Sequence, residues 1–403
     1  MTGESSASPL IFGGAAQSPR AALPVLPPLA LYIHIPWCVR KCPYCDFNSH
    51  ATGPELPEDA YVTALLDDLD QELAAVQGRP ISSIFFGGGT PSLFSANALG
   101  RLLRGIEQRI PFAPDIEITL EANPGTFEQD KFKAYRQTGI NRLSIGVQSF
   151  QPAKLEALGR IHNGDEAVRA ADMARAAGFD NFNMDLMHGL PDQSLDDALG
   201  DLRQAIDLGP THLSWYQLTV EPNTVFWNQP PELPEDDILW DIQEAGQALM
   251  AEHGYRQYEV SAYAQAGRAA RHNLNYWRFG DYLGIGAGAH GKLSFAHRIA
   301  RPVRVREPRL YMERALAGDA TASADEVPRA QLPFEFMLNA LRLKDGFELA
   351  HFSERTGLPL TAIQASLEEA ERQGLLARDL LRAWPTERGF DFLSDLQSLF
   401  LPA

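Results

Sequence analysis

Cysteine is scarce in this chain and unevenly placed: there are three in 403 residues, all between positions 38 and 45. An odd number in one short segment makes a poor disulfide framework. It fits a metal or cluster site in a reducing compartment, which predicts a cytoplasmic protein. No run of 18 or more apolar residues is present, so no transmembrane helix is expected. The N-terminus has no basic segment followed by a sustained apolar one and does not read as a secretory signal. Positive charge is also in deficit. Lys and Arg number 35 against 52 Asp and Glu, a net charge of −17, which argues against nucleic acid as a partner and against affinity for an anionic membrane surface.

What is present is enough apolar material, 45% of residues, for one large domain or two. Residues 1–28 carry five prolines among many Ala and Ser and read as a disordered leader. After it, short apolar strands alternate with helical patterns. Strands are expected at Leu29–Ile35, Ile84–Phe86, Ile116–Glu121, Arg142–Val147, Phe182–Met187 and Leu213–Leu218. The first helix shows Tyr61, Leu65, Leu69 and Leu73 at four-residue spacing, with Asp59 as its cap. Further helices are expected over Gly164–Ala177, Leu195–Leu208 and Asp237–His253. Six strand-then-helix units predict a parallel sheet with helices outside, either a partly closed barrel or an open sheet. Glu121, Gln148, Asp185 and Gln217 fall at the carboxyl ends of strands, where such folds build their sites.

The division that follows is a leader over 1–28, a core over 29–225, an extension over 226–330 and a helical module over 331–403. The Gly-rich run Gly284–His290 reads as a loop. From residue 334 the chain holds seven basic and eleven acidic side chains, a net of −4. This stretch has the pattern of a small winged-helix module, but its charge favours packing or partner contact over DNA binding.

The cysteines form Cys38-Val-Arg-Lys-Cys42-Pro-Tyr44-Cys45. Thiolates are the usual ligands of iron–sulfur clusters. Three of them can hold three irons of a cubane, leaving the fourth to an outside molecule, since no further cysteine exists. A zinc site completed by His34 or His50 is the rival reading.

Spacing C-x3-C-x2-C with an aromatic before the last cysteine resembles the signature of radical S-adenosylmethionine enzymes. YIHIPWC, FFGGGTPS at 85–92, TLEANP at 119–124, RLSIGVQSF at 142–150 and MDLMHGLP at 184–191 narrow the resemblance to one branch. That branch contains the oxygen-independent coproporphyrinogen III dehydrogenases and related heme chaperones. It implies a partial (β/α)6 barrel with a C-terminal helical, winged-helix-like module. It implies that Cys38, Cys42 and Cys45 bind a [4Fe–4S] cluster and that S-adenosylmethionine is held by Tyr32, Tyr44, Gly88, Gly89, Thr90, Glu121, Gln148, Arg160 and Asp185. The residue types agree: glycines allow close backbone approach, and Arg160 can pair with a carboxylate.

Two departures separate the relatives. The dehydrogenase pattern continues with a fourth cysteine, where this chain has Phe47, and the leader does not resemble the dehydrogenase extension. His272-Asn-Leu-Asn-Tyr276-Trp277 resembles the HNxxYW motif of the chaperones, which implies heme contact through His272, Tyr276 and Trp277, with His290 and His188 as further candidate ligands. The implied function is delivery of heme to recipient hemoproteins such as respiratory enzymes, with only transient membrane contact and a monomer–dimer equilibrium. Oxidative decarboxylation of coproporphyrinogen III, or radical chemistry on another substrate, stay open as alternatives.

Overall fold

The structure is a computed structural model that describes residues 23, 25–53, 55–125 and 129–402. Most of the expected leader therefore lies outside the described residues. All six expected strands form, at Leu29–Ile35 (β1), Ile81–Gly88 (β2), Phe112–Ala122 (β3), Arg142–Gln148 (β4), Phe182–His188 (β5) and His212–Gln217 (β6). They lie side by side in chain order, all parallel. Their residues on the face away from the barrel interior, among them Ile33, Phe86, Leu120, Ile145, Leu186 and Leu213, are buried in the larger core.

Three more strands extend this sheet to nine. Arg256–Glu259 (β7) and Ala262–Ala264 (β8) form an antiparallel hairpin beside β6. Asp281–Ile285 (β9) joins the opposite edge, parallel to β1. The Gly-rich run was expected to be a loop, yet its first two residues complete β9. Gly284 is demanded there, because a Cβ would sit 2.0 Å from the His290 carbonyl oxygen. The sheet order β9-β1-β2-β3-β4-β5-β6-β8-β7 has two ends, so the barrel is partial.

Helices connect the strands as expected. Glu58–Val76 (α1) buries Tyr61, Leu65 and Leu69. Asp59 does not cap it; the helix starts at Glu58 after Pro57, and the Asp59 carboxylate pairs with Arg101 at 2.9 Å instead. Ala96–Glu107 (α2) and Gln129–Gln137 (α3) follow β2 and β3. Gly164–Ala176 (α4) and Leu195–Asp207 (α5) each begin with a capping box, Asn163 with Glu166 and Ser194 with Asp197. Asp236–Glu252 (α6) leads into the β7–β8 hairpin.

Arg271–Trp277 (α7) precedes β9, and Pro308–Leu316 (α8) packs on α1. Between them run Leu293–Phe295 (β10) and Arg298–Arg304 (β11), paired with Thr321–Glu326 (β12). A second, smaller core holds the C-terminal module. It comprises Leu332–Ala340 (α9), Leu349–Thr356 (α10), Gln364–Arg372 (α11) and a three-stranded antiparallel sheet, Phe347–Glu348 (β13), Leu376–Arg378 (β14) and Arg382–Pro385 (β15). Phe279 and Ile299, from before the module, belong to that second core. No described helix is long and apolar enough to cross a membrane.

Candidate functional site

The cysteine segment leaves β1 and folds back on itself. The His50 N–H donates to the Pro36 carbonyl (2.7 Å) and the Thr52 N–H to that of Cys38 (2.8 Å). Inside this loop the Cys45 N–H donates to the Cys42 carbonyl at 3.2 Å. The three thiols are free and line one cavity of about 360 Å³. Burial pushes the Cys38 thiol up to about 11 and also raises that of Cys45. Thiols so placed release their protons most readily to a metal.

Among the described residues, neither histidine that could complete a zinc site is at hand. His34 spends both ring nitrogens, one on the Tyr32 hydroxyl (2.8 Å) and one on the Asn48 carbonyl (2.9 Å). His50 meets the Asn48 side-chain oxygen at 3.2 Å, and neither imidazole lines the cysteine cavity. Among the described residues no group of three or more His, Cys, Asp or Glu is arranged to hold a single metal ion. The donor set thus fits a cluster of several irons with one position left to an outside ligand.

Eight of the nine residues expected to hold the cofactor line this same cavity: Tyr44, Gly88, Gly89, Thr90, Glu121, Gln148, Arg160 and Asp185. Glycine is required at two of them. Gly88 has φ +116°, and a Cβ there would lie 2.6 Å from the His34 ring; at Gly89 it would lie 2.5 Å from the Trp37 carbonyl oxygen. The Gly88 N–H donates to Glu121 at 3.1 Å. Burial, with Asp185 nearby, pushes Glu121 up to about 8. Asp185 accepts from the Ser144 hydroxyl (3.0 Å) and the Asn183 amide (2.7 Å).

Arg160 donates to the Asn123 side-chain oxygen (2.6 Å), the Gly146 carbonyl (2.7 Å) and the Cys42 sulfur (3.7 Å). Asn123 in turn donates to the Thr90 hydroxyl at 2.9 Å. Gln148 holds a left-handed backbone, φ +69°, and its side-chain oxygen accepts from the Tyr216 hydroxyl at 2.8 Å. Such a conformation costs on the order of 1 kcal/mol or more, and clusters at functional sites.

Tyr32, the ninth, faces elsewhere. It lines a second cavity of about 590 Å³ with Phe85, Tyr276, Trp277, Phe279 and Tyr282 as aromatic walls. Its exposed lining residues include His290 and Arg306, with Arg301 half-buried. Burial, with Arg306 and Arg301 close by, lowers the His290 imidazole. Phe47, Gly88, Glu121 and Trp277 line both cavities. Phe47 is 61% exposed.

Helix α7 divides the expected heme residues. Tyr276 and Trp277 reach the second cavity, whereas His272 lines neither. His272 is buried and its Nδ1 meets Glu117 at 3.1 Å. That oxygen also accepts from the Arg271 N–H (2.9 Å) and the His272 N–H (3.4 Å). The His272 ring stacks on Phe85, centroids 4.3 Å apart. His188 is buried against Trp215 at 4.2 Å and, like Gln217, lines neither cavity. Sequence reasoning missed Asn123, Tyr216, Ser144, Asn183 and Arg306. Asn123 lies in TLEANP and Ser144 in RLSIGVQSF, so both were visible in the motifs; the others carry no local signal.

Comparison with known proteins agrees with this geometry. Residues 32–205 match the Radical SAM superfamily, and residues 327–392 match the HemN C-terminal domain. The chain is 56% identical over 378 residues to a protein of Escherichia coli (strain K12) named heme chaperone HemW, covering 93% of this chain and 99% of that one. It is 34% identical over 365 residues to the heme chaperone HemW of Bacillus subtilis (strain 168), covering 89% and 95%. The solved structure of coproporphyrinogen III oxidase (HemN) from Escherichia coli, described as a radical SAM enzyme, superimposes with a TM-score of 0.79 at 22% identity, over 93% of this chain and 90% of that one. That superposition shows the shared fold, and the full-length identity goes further: the chain belongs to the HemW family of the radical SAM superfamily.

Proposed function

We propose that this chain is a heme chaperone that binds heme and passes it to recipient hemoproteins. The observation that carries this reading is 56% identity along almost the whole of a relative named for that activity. Membership of the radical SAM superfamily implies a [4Fe–4S] cluster and S-adenosylmethionine. Cys38, Cys42 and Cys45 are the residues offered for the cluster. Tyr44, Gly88, Gly89, Thr90, Glu121, Gln148, Arg160 and Asp185 are offered for the cofactor, with Tyr32 adjoining from the next cavity. Tyr276 and Trp277 present aromatic surface suited to a flat macrocycle. His272 supports their helix from behind through Glu117.

The test is anaerobic purification, reconstitution of the cluster and titration with hemin while the Soret band is recorded. Coproporphyrinogen III with S-adenosylmethionine and a reductant is run alongside. A saturable Soret shift without decarboxylation is expected. Turnover of coproporphyrinogen would overturn the reading. The eight expected cofactor residues gathered on one cavity favour one further reading, radical chemistry on another substrate, for which release of 5′-deoxyadenosine is the readout.

A further inference from the structure

The wall of the 590 Å³ cavity is aromatic, its size lies in the range of ligand pockets, and its exposed rim carries Arg306 and His290 with Asp46 as the one exposed acidic side chain. In a chain of net charge −17, positive charge on an apolar pocket is informative. Arg301 is already engaged: it pairs with Glu335 and donates to the Tyr282 hydroxyl at 3.3 Å. Lys292 is buried and paired with Asp281 at 2.9 Å. Arg306 is different. It is exposed on the cavity, and among the described residues its guanidinium has neither an ion pair nor a hydrogen bond. It is a cation left over for a carboxylate that the described residues do not supply.

Candidate iron ligands on this cavity reduce to one. The cysteines lie on the other cavity. Of the ten histidines in the chain only His34 and His290 line this one. His34 has both ring nitrogens occupied. His272 is behind Phe85 and tied to Glu117. Three tyrosines line the cavity, and burial raises the Tyr32, Tyr276 and Tyr282 phenols, which disfavours the phenolate that iron takes; the Tyr32 and Tyr282 hydroxyls are also bonded to His34 and Arg301. The His290 ring is exposed and has no hydrogen-bond partner among the described residues.

We infer that this cavity is the seat of heme, with His290 as the axial ligand to iron and Arg306 as the partner of a heme carboxylate. The inference rests on the heme-chaperone reading and adds to it a place, a ligand and an orientation. The macrocycle lies between the aromatic walls with its carboxylates toward the solvent rim. Iron is reached from the loop after β9, and α7 contributes apolar surface without a bond to the metal.

The experiment compares hemin with metal-free protoporphyrin IX on the full chain with its cluster reconstituted. Both ligands have the same ring and the same two carboxylates; only hemin has iron. His290→Ala is expected to weaken hemin binding by about tenfold and move the Soret band, while leaving protoporphyrin fluorescence titrations within about threefold of wild type. Added imidazole should restore the wild-type band position. Arg306→Ala is expected to weaken both ligands alike, with Arg306→Lys recovering part of the loss. His272→Ala should leave the Soret position unchanged. Since the His290 and Arg306 side chains bond to nothing else among the described residues, neither variant should alter folding.

Saturable wild-type binding with unchanged hemin affinity and spectrum in His290→Ala would overturn the inference and leave the chaperone reading intact. A Soret change on His272→Ala alone would do the same. Absence of saturable hemin binding in the wild-type protein would overturn both.

Discussion

Glu121 is a carboxyl that burial holds protonated near neutral pH, at about 8, with Asp185 adding to the effect and the Gly88 N–H opposing it. A cationic ligand such as the sulfonium or amino group of S-adenosylmethionine binds better to the carboxylate. Below its pKa each pH unit then costs about tenfold in the ionised fraction. Affinity for the cofactor should rise between pH 6.5 and 8.5, with a proton released on binding. Calorimetry in buffers of different ionisation heat reads both, and Glu121→Gln should flatten the profile. Wild-type affinity that does not change with pH would refute this assignment. The same shift has a stability consequence. The folded-state pKa lies above the ordinary 4.5, so the contribution of this group is present at low pH and lost as pH rises through about 8. Without cofactor, Glu121→Gln should melt higher than wild type at pH 9.

His272 makes the opposite kind of claim, one about folding. Removing its imidazole leaves buried Glu117 with backbone donors and the nearby charge of Arg142, and a buried acceptor that loses a side-chain donor typically costs about 1–3 kcal/mol. His272→Ala should lower the urea midpoint markedly. An unshifted midpoint would show that the imidazole is not structural. The motif that contains His272 was legible in sequence, but the division of labour within it was not. Spacing puts His272 and Tyr276 on one helical face; only the position of Glu117 on β3 decides which of them is drawn inward.

At the scale of elements, the six parallel strands were readable because each is a short apolar run closed by a turn signal. The strand β9 was hidden by its glycine, and the β7–β8 hairpin by the shortness of its strands, four residues and three. What joins these late elements to the barrel is a buried charge cluster that no local pattern reveals. Asp68 on α1 accepts from Arg304 Nε (2.7 Å), the Tyr311 hydroxyl (2.7 Å) and the Gly286 N–H (3.2 Å). Arg304 also reaches Glu72 at 2.8 Å. One carboxylate thus ties α1 to β11, α8 and the loop after β9. Asp68→Ala should cost about 3–5 kcal/mol, seen as a large fall in melting temperature. If the double change Asp68→Leu with Arg304→Met is no more stable than the single one, the cost is not that of a stranded charge.

At the scale of the molecule, the C-terminal module is part of the cavity walls. Asn339 lines the larger cavity and Arg342 the smaller. Arg342 lies over the Trp277 ring at 4.2 Å and pairs with Glu259 at 3.2 Å, joining the module to both α7 and the edge hairpin. Arg342→Ala should loosen this joint. Faster limited proteolysis around Val327 and weaker hemin binding are expected, with the cluster absorbance unchanged. Unaltered proteolysis would show that the apolar core around Phe279 and Phe336 alone holds the module.

The two cavities have Phe47, Gly88, Glu121 and Trp277 in common. A shared wall has a thermodynamic corollary. If an occupant of one chamber shifts these side chains, it changes the affinity of the other chamber by some factor, and the second occupant must change the first by the same factor. Cargo and cofactor would then be reciprocal effectors, and the direction of their coupling would set whether a cofactor-loaded chain retains its heme or releases it.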